Sequence, residues 1–170
     1  MRVLGIDPGS RRAGYGLLEI QGQKVRYLTS GVLRYDRINK FIDRISPIYE
    51  SCQELREKLE FDEIAFESLI YAKNPTSLIK LAQARGAMLA AFAKQYQGKI
   101  FEYAPNLVKT TVSGDGHAGK ESIQRGLAMI FGRMDFSTHD ESDALAVALT
   151  HALHRRRSAR RSEHDRTYSR

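Results

Sequence analysis

Four acidic residues fall at positions where a fold of strands and helices would gather side chains. Asp7 ends the apolar stretch RVLGID and Glu67 ends the stretch EIAFE, so each is expected at the end of a strand. Asp140 and Asp143 open a helical stretch, and residues three apart share one face of a helix. Because strand ends on one edge of an α/β sheet are where sites form, the pattern predicts that these carboxylates meet.

An oxygen-only cluster of this kind suits hard cations such as Mg²⁺ or Mn²⁺, whereas zinc usually takes His or Cys ligands. Two like charges about 4 Å apart repel by roughly 4 kcal/mol at an effective dielectric near 20. Four converging carboxylates would therefore need cations to stay ionised together. Two metal ions about 3.5–4 Å apart also activate a water and stabilise the leaving oxygen of a phosphodiester, which makes phosphodiester hydrolysis the expected chemistry.

Each acid also has a purely structural interpretation. Asp7 precedes a Pro-Gly turn, and an acid at a strand end such as Glu67 is common. Thr138 and Glu141 fit a capping box, and acids in a first helical turn offset the helix dipole by about 0.3–1 kcal/mol each. Taken singly, none of the four acids indicates a site, whereas their occurrence together at three compatible element ends favours one.

The elements that must position these acids alternate between strands and helices. Periodicity predicts strands over residues 2–7, 14–20, 24–35, 63–67 and 99–103, and helices over residues 41–59, 75–95, 106–112, 120–131 and 139–154. This order implies an α/β layer fold, and the three opening strands imply a partly antiparallel sheet. We expect one domain over residues 1–154, followed by a C-terminal tail over residues 155–170.

The C-terminal tail holds most of the excess positive charge. The chain has a net charge of +7, and residues 155–170 contain seven arginines against Glu163 and Asp165. We expect this segment to be mobile, since it has few apolar residues. It would either hold phosphates electrostatically or act as a solvated tail that keeps the protein soluble.

The compartment is expected to be the cytoplasm. Cys52 is the only cysteine, so an internal disulfide cannot form. The apolar run at the N-terminus is too short for a signal peptide and meets Asp7 at once. A stretch of about 18 apolar residues, which a membrane span would need, is absent from the sequence.

The motifs, taken in order, resemble the RuvC family of Holliday junction resolvases. The resemblance covers residues 2–155 and rests on GIDPGS with GYG, FES followed by YAKN, LAQARG, and DESDALAVALTH. It implies a ribonuclease H-like fold with a mixed five-stranded sheet flanked by helices, and a homodimer. It also implies a Mg²⁺-dependent endonuclease that acts in recombination and DNA repair together with RuvA and RuvB. Such an enzyme nicks two strands of like polarity symmetrically about a four-way junction, leaving 5′-phosphate and 3′-hydroxyl ends.

The resemblance also assigns roles to individual residues. The family's four acidic positions fall on Asp7, Glu67, Asp140 and Asp143, which would hold two Mg²⁺ ions per subunit, with Mn²⁺ able to substitute. Lys109 would approach the DNA backbone, and Lys120 would stand at a helix start and steady the charge of the cut phosphate. The alternative for both lysines is an ordinary solvated surface position.

The sequence departs from the family pattern next to Glu67. Some relatives place an aromatic residue three positions after this glutamate, where it stacks on an unpaired base. Here Ile70 holds that position and the aromatic residue is its neighbour Tyr71. Stacking of a base on an aromatic ring contributes about 1–3 kcal/mol, so either Tyr71 takes over the contact or the contact is weaker.

Three other functions are compatible with parts of the sequence. Another ribonuclease H-like nuclease, acting on RNA ends, would share the first strand but not the four ordered motifs. A sugar kinase or actin-like ATPase also opens with a strand, an Asp and a glycine turn, but repeats this motif in a second domain, and the chain has no second copy. A junction-binding protein without catalysis would not need all four acids, and metal-dependent nicking distinguishes it.

Overall fold

The computed structural model of the protein describes residues 1–70, 74–116 and 119–168. A turn of 3₁₀ helix over Ile42–Arg44 leads into the first α-helix. In chain order the elements are β1 (Arg2–Asp7), β2 (Arg12–Gln21), β3 (Lys24–Arg34), α1 (Ile45–Lys58), β4 (Glu63–Glu67), α2 (Pro75–Ala93), β5 (Ile100–Tyr103), α3 (Pro105–Ser113), α4 (Lys120–Phe131) and α5 (His139–Tyr168).

The strands form a sheet in the order β3-β2-β1-β4-β5, in which β2 runs antiparallel to both β3 and β1. Strand β1 pairs in parallel with β4, and β4 pairs in parallel with β5. The predicted mixed five-stranded sheet is thus confirmed. Ile6 lies beside Phe66 in the parallel register of β1 and β4, so the two strands end at the same edge of the sheet with Asp7 and Glu67.

The two faces of the sheet are covered by different helices. Leu4 and Ile6 of β1 pack in one core with residues of α1 and α2, whereas Val3 packs in a second core with residues of α3, α4 and α5. Side chains alternate between the faces of a strand. Asp7, at an odd position like Val3, therefore lies on the face that α5 covers, and the same alternation in β4 puts Glu67 there.

Helix α5 lies directly on three glycines of that face. A Cβ atom at Gly14 would stand 1.7 Å from the carbonyl oxygen of Asp140, and one at Gly5 would stand 2.2 Å from that of Ala144. Gly16 is similarly covered, by the backbone of α5 at Leu145. Because no side chain fits between, the glycines of β1 and β2 set how closely the first turn of α5 approaches the sheet.

A buried polar cluster fixes α5 at the end of the sheet opposite Asp7 and Glu67. Glu63, at the start of β4, hydrogen-bonds to Nε2 of His151 at 2.7 Å and accepts a hydrogen bond from Nε of Arg155 at 2.9 Å. The hydroxyl of Tyr103 hydrogen-bonds to Nδ1 of the same histidine at 2.9 Å. Burial lowers the pKa of His151, so its neutral form is favoured in the folded protein. Helix α5 is therefore held against the sheet along residues 140–155.

The helix ends agree with the sequence pattern at some places and differ at others. Asn74 caps α2 as predicted, because its side chain accepts a hydrogen bond from the backbone N–H of Ser77 at 3.2 Å. The prediction that the last helix ends near residue 154 is wrong, since α5 continues to Tyr168. Residues 155–168 contain no Gly or Pro and are rich in Arg, a good helix former. None of the helices in the described part of the chain is both long and apolar enough to cross a membrane.

Candidate active site

Asp7 and Glu67 meet at the shared end of β1 and β4. Their side chains are hydrogen-bonded to each other. Burial raises the pKa of Glu67 to about 7, and the neighbouring carboxylate of Asp143 raises it as well. The ammonium group of Lys109 and the hydrogen bond with Asp7 act in the opposite direction. Three acids and one cation from four different elements therefore interact here.

Asp140 and Asp143 come from the first two turns of α5, whose distance from the sheet is set by the glycines of β1 and β2. Asp143 is the one close enough to influence the ionisation of Glu67. Asp140 lies one turn earlier and interacts with Arg12 of β2, whose Nε is 3.5 Å from Oδ2 of the aspartate. The structure thus brings Asp7, Glu67 and Asp143 together directly and places Asp140 at the rim of the group.

The start of α5 is capped by residues other than the two aspartates. The backbone N–H of Glu141 donates to Oγ1 of Thr138 at 3.4 Å, and the Glu141 carboxylate accepts from the backbone N–H of Ser137 at 2.8 Å. Burial acts to raise the pKa of Glu141, but hydrogen bonds from Ser30 and Ser137 lower it below its ordinary value. Half of the capping box predicted from Thr138 and Glu141 is therefore present, since the Glu141 carboxylate binds the backbone N–H of Ser137 and not that of Thr138. These bonds involve neither Asp140 nor Asp143.

The chemistry of the donor set fits a hard divalent cation. All four candidate ligands are carboxylates, which Mg²⁺ and Mn²⁺ prefer. A cation among them would favour the ionised form of Glu67, which burial and Asp143 now disfavour. Over the part of the chain that the structure describes, no three His, Cys, Asp or Glu side chains already stand in a metal-binding arrangement. The acids would therefore have to close further around an ion.

A cleft of about 380 Å³ opens beside these acids. Glu67, Asp143 and Lys109 supply its polar wall. Its remaining wall is mostly apolar and includes Leu69, Ile70, Leu78, Leu81, Val108 and Ile123. A cleft with carboxylates on one side and apolar side chains on the other can hold a charged group and an adjoining planar apolar group at the same time.

The other predicted site residues are placed as follows. Lys109 lines the cleft and acts on Glu67, as described above. Ile70 lines the same cleft with 61% of its surface exposed. Lys120 is the first residue of α4, and its neighbour Gly119 borders the cleft, but the Lys120 side chain lies outside the described part of the structure. Tyr71 also lies outside the described residues.

Sequence reasoning missed Arg12 and the role of Gly14. Both lie in the RRAGYG stretch that directly follows the DPGS turn. Asp7 pairs with Gly14 in the antiparallel register of β1 and β2, so this stretch necessarily returns along the predicted site. The tight turn between the two strands was therefore the signal that could have identified both residues.

Comparisons with known proteins agree with these observations. A family model described as "Crossover junction endodeoxyribonuclease RuvC" matches residues 3–151. A protein of that name from Methylobacterium radiotolerans is 39% identical over 165 residues, which is 96% of this chain and 79% of the relative.

Solved structures match as well. The structure of Thermus thermophilus RuvC in complex with a Holliday junction substrate has a TM-score of 0.82 and 30% identity, covering 93% of this chain and 96% of that one. The yeast mitochondrial Holliday junction resolvase has a TM-score of 0.61 at 17% identity, covering 94% of this chain and 83% of that one, and shares the fold.

Proposed function

This chain belongs to the RuvC family of crossover junction endodeoxyribonucleases, and we propose that it resolves four-way junctions by symmetric, metal-dependent nicking of two strands of like polarity. Its fold is ribonuclease H-like, in agreement with the expectation from its motifs. The family's enzymes are metal-dependent nucleases that act on recombination and repair intermediates.

Asp7, Glu67, Asp140 and Asp143 are the residues that would hold the metal ions, with Mg²⁺ as the physiological cation and Mn²⁺ as a substitute. Two such ions would supply activation of the attacking water and stabilisation of the leaving 3′ oxygen, as in other two-metal nucleases. The expected products are 5′-phosphate and 3′-hydroxyl ends. The observation that carries this proposal is the convergence of Asp7, Glu67 and Asp143 from two parallel strand ends and the N-terminal part of α5.

The remaining residues of the cleft would position the DNA. Lys109 lines the cleft beside the carboxylates. Its ammonium group would bind a backbone phosphate next to the phosphodiester that is cut. Lys120 would act similarly from the start of α4. The apolar wall, including Ile70, would contact the base next to the cut and exclude water, and Tyr71 remains the candidate for a stacked base.

The products of cutting test the proposal at the level of chemistry. The two nicked duplexes made from a junction with Mg²⁺ are expected to be sealed by a DNA ligase without further treatment. Cutting is expected to stop in EDTA and to return when Mg²⁺ or Mn²⁺ is restored. Products that need a kinase or phosphatase before ligation would contradict the proposed end chemistry.

Replacing Lys109 by Ala is expected to weaken junction binding and to reduce its dependence on salt. Loss of one phosphate contact lowers the slope of log K against log salt concentration by about 0.9. The measurement is a binding titration at several salt concentrations, in EDTA so that the junction stays intact. Lys24→Ala is the matched control, because Lys24 lies at the first residue of β3, at the end of the β2–β3 hairpin that is far from the cleft. An unchanged slope for Lys109→Ala would place this lysine away from the DNA.

We also propose that the active form is a homodimer that pairs through α2. The inner face of this helix is buried and includes Met88 and Phe92. Its opposite face is exposed and carries small or apolar residues at helical spacing, namely Ile79, Ala82, Gly86, Ala90 and Ala93. Small residues let two helices approach closely, and a two-fold axis would present one active site to each of two strands.

A Gly86→Arg variant is expected to shift the protein from dimer to monomer. A Cβ atom at Gly86 meets nothing within 4 Å, and Arg favours helix more than Gly, so the folded subunit tolerates the change. Near a two-fold axis the arginine would meet its own copy, which should weaken the dimer by more than about 10-fold. Sedimentation and paired nicking would both report this. Met129→Arg, at an 87% exposed position of α4, is the control. A Gly86→Arg protein that stays dimeric would move the interface elsewhere.

The compartment and the partner proteins of the enzyme follow from its proposed substrate. A junction nuclease works where chromosomal DNA is, so we expect the cytoplasm in a bacterial cell. Cooperation with the branch-migration proteins RuvA and RuvB remains a prediction from the family resemblance. The basic segment over residues 155–170 remains a candidate for additional phosphate contacts.

A further inference from the structure

Arg12 stands beside Asp140, the one proposed ligand that does not figure among the interactions of Glu67. Its Nε lies 3.5 Å from Oδ2 of Asp140, and the side chains are 46% and 31% exposed. Directly across the strand pair, Arg12 faces Arg34. Like charges opposite each other on a sheet are unfavourable, so the arrangement favours a guanidinium of Arg12 that turns away from Arg34 and toward Asp140.

We propose that Arg12 is a resident counter-charge that a divalent cation must displace from Asp140. The inference rests on the proposed metal site, because it assigns Asp140 as a ligand. In the protein without metal or DNA, Arg12 neutralises the aspartate and holds it at the rim of the acidic group. A cation that binds Asp7, Glu67 and Asp143 recruits Asp140 only by breaking this ion pair. Arg12 is thus a positioning residue that sets the affinity of the site for metal.

The geometry indicates the size of the effect. A half-exposed ion pair is weak, and its strength corresponds to about a two- to fivefold change in an equilibrium constant. The pair therefore lowers metal affinity without preventing binding. It is also strong enough to matter when the metal concentration is near the dissociation constant. Removing the guanidinium should tighten metal binding, which is the opposite of what loss of a merely structural residue would do.

The test is calorimetric titration of Mn²⁺ into the DNA-free, full-length protein. We expect Arg12→Gln to bind Mn²⁺ about two- to fivefold more tightly than the parent, and Arg12→Lys, which keeps the charge, to bind nearly as the parent does. Lys24→Gln removes one positive charge at the far end of β3, about 30 Å along the strand from Arg34, and should leave the affinity unchanged. Melting temperatures in EDTA report whether each variant is folded. The Mg²⁺ concentration for half-maximal nicking should fall in Arg12→Gln by the same factor.

The outcomes separate this inference from the proposed function. If the parent protein binds Mn²⁺ and Arg12→Gln binds it equally or more weakly, the counter-charge role is wrong while the metal site stands. Equal tightening in Arg12→Gln and Lys24→Gln would also overturn it, because the effect would then be one of overall charge. If the parent protein binds no Mn²⁺, the proposed metal site fails, and the inference fails with it.

Discussion

An Asp7→Asn variant will bind four-way junctions as the parent does and will nick them more than about 100-fold more slowly. The change removes a charged ligand from the proposed metal site and leaves the size of the side chain and the cleft unaltered. Even residues that only orient metal ligands contribute about 10–100-fold to affinity or activity, so a ligand should contribute more. Because the variant removes one charged ligand, it should also lower the Mn²⁺ affinity measured without DNA.

Asp36→Asn is the matched control for this change. Asp36 is an exposed residue between β3 and α1, so its replacement removes the same charge from the surface without touching the cleft. Junction binding in EDTA and single-turnover nicking in Mg²⁺ should be measured for both variants. Cutting by Asp7→Asn at more than a tenth of the parent rate would remove Asp7 from the site.

A Gly14→Ala variant is expected to lose about 100-fold in nicking, although residue 14 has no functional group. Its Cβ would stand 1.7 Å from the carbonyl oxygen of Asp140, so β2 and the first turn of α5 must separate. That shift moves Asp140 and Asp143 away from Asp7 and Glu67, and a misplacement of about 1 Å can reduce a rate 100-fold. The same overpacking should lower the free energy of unfolding by about 1–3 kcal/mol.

Gly31→Ala distinguishes displacement of the acids from general damage to the hairpin. Gly31 lies on the neighbouring strand, and a Cβ there meets the side chain of Tyr15, which can move, rather than a backbone. This variant should nick within about twofold of the parent. Thermal melting shows the fraction folded, and rates are compared per folded protein. If Gly14→Ala folds and nicks normally, the spacing between α5 and the sheet does not control the site.

Much of the fold follows from patterns that are local in the sequence. The strand ending at Asp7 and the strand ending at Glu67 were located correctly because short apolar runs end there on a carboxylate. The Asn74 cap was located because Asn before Pro is a strong helix start. The mixed sheet followed from three strands in succession before the first helix. The shared edge of β1 and β4 then brings Asp7 and Glu67 together without further assumptions.

The parts that could not be predicted depend on contacts between distant segments. That Asp140 interacts with Arg12 depends on the depth at which α5 sits, which in turn depends on glycines more than 120 residues earlier in the chain. The raised pKa of Glu67 reflects burial and the presence of Asp143, neither of which is visible in the stretch EIAFE. The continuation of α5 beyond residue 154 is not predicted from the scarcity of apolar residues there, because a helix rich in Arg can extend into solvent without a core to pack against.

The most direct test of the central assignment compares a synthetic mobile four-way junction with a linear duplex of the same sequence, each with Mg²⁺ and with EDTA. The assignment predicts paired, symmetric nicks in strands of like polarity on the junction with Mg²⁺, none on the duplex, and none in EDTA. Junction binding without nicks in either Mg²⁺ or Mn²⁺ would contradict it. The four acids would then be left with turn and helix-start roles in a protein that binds junctions without cutting them.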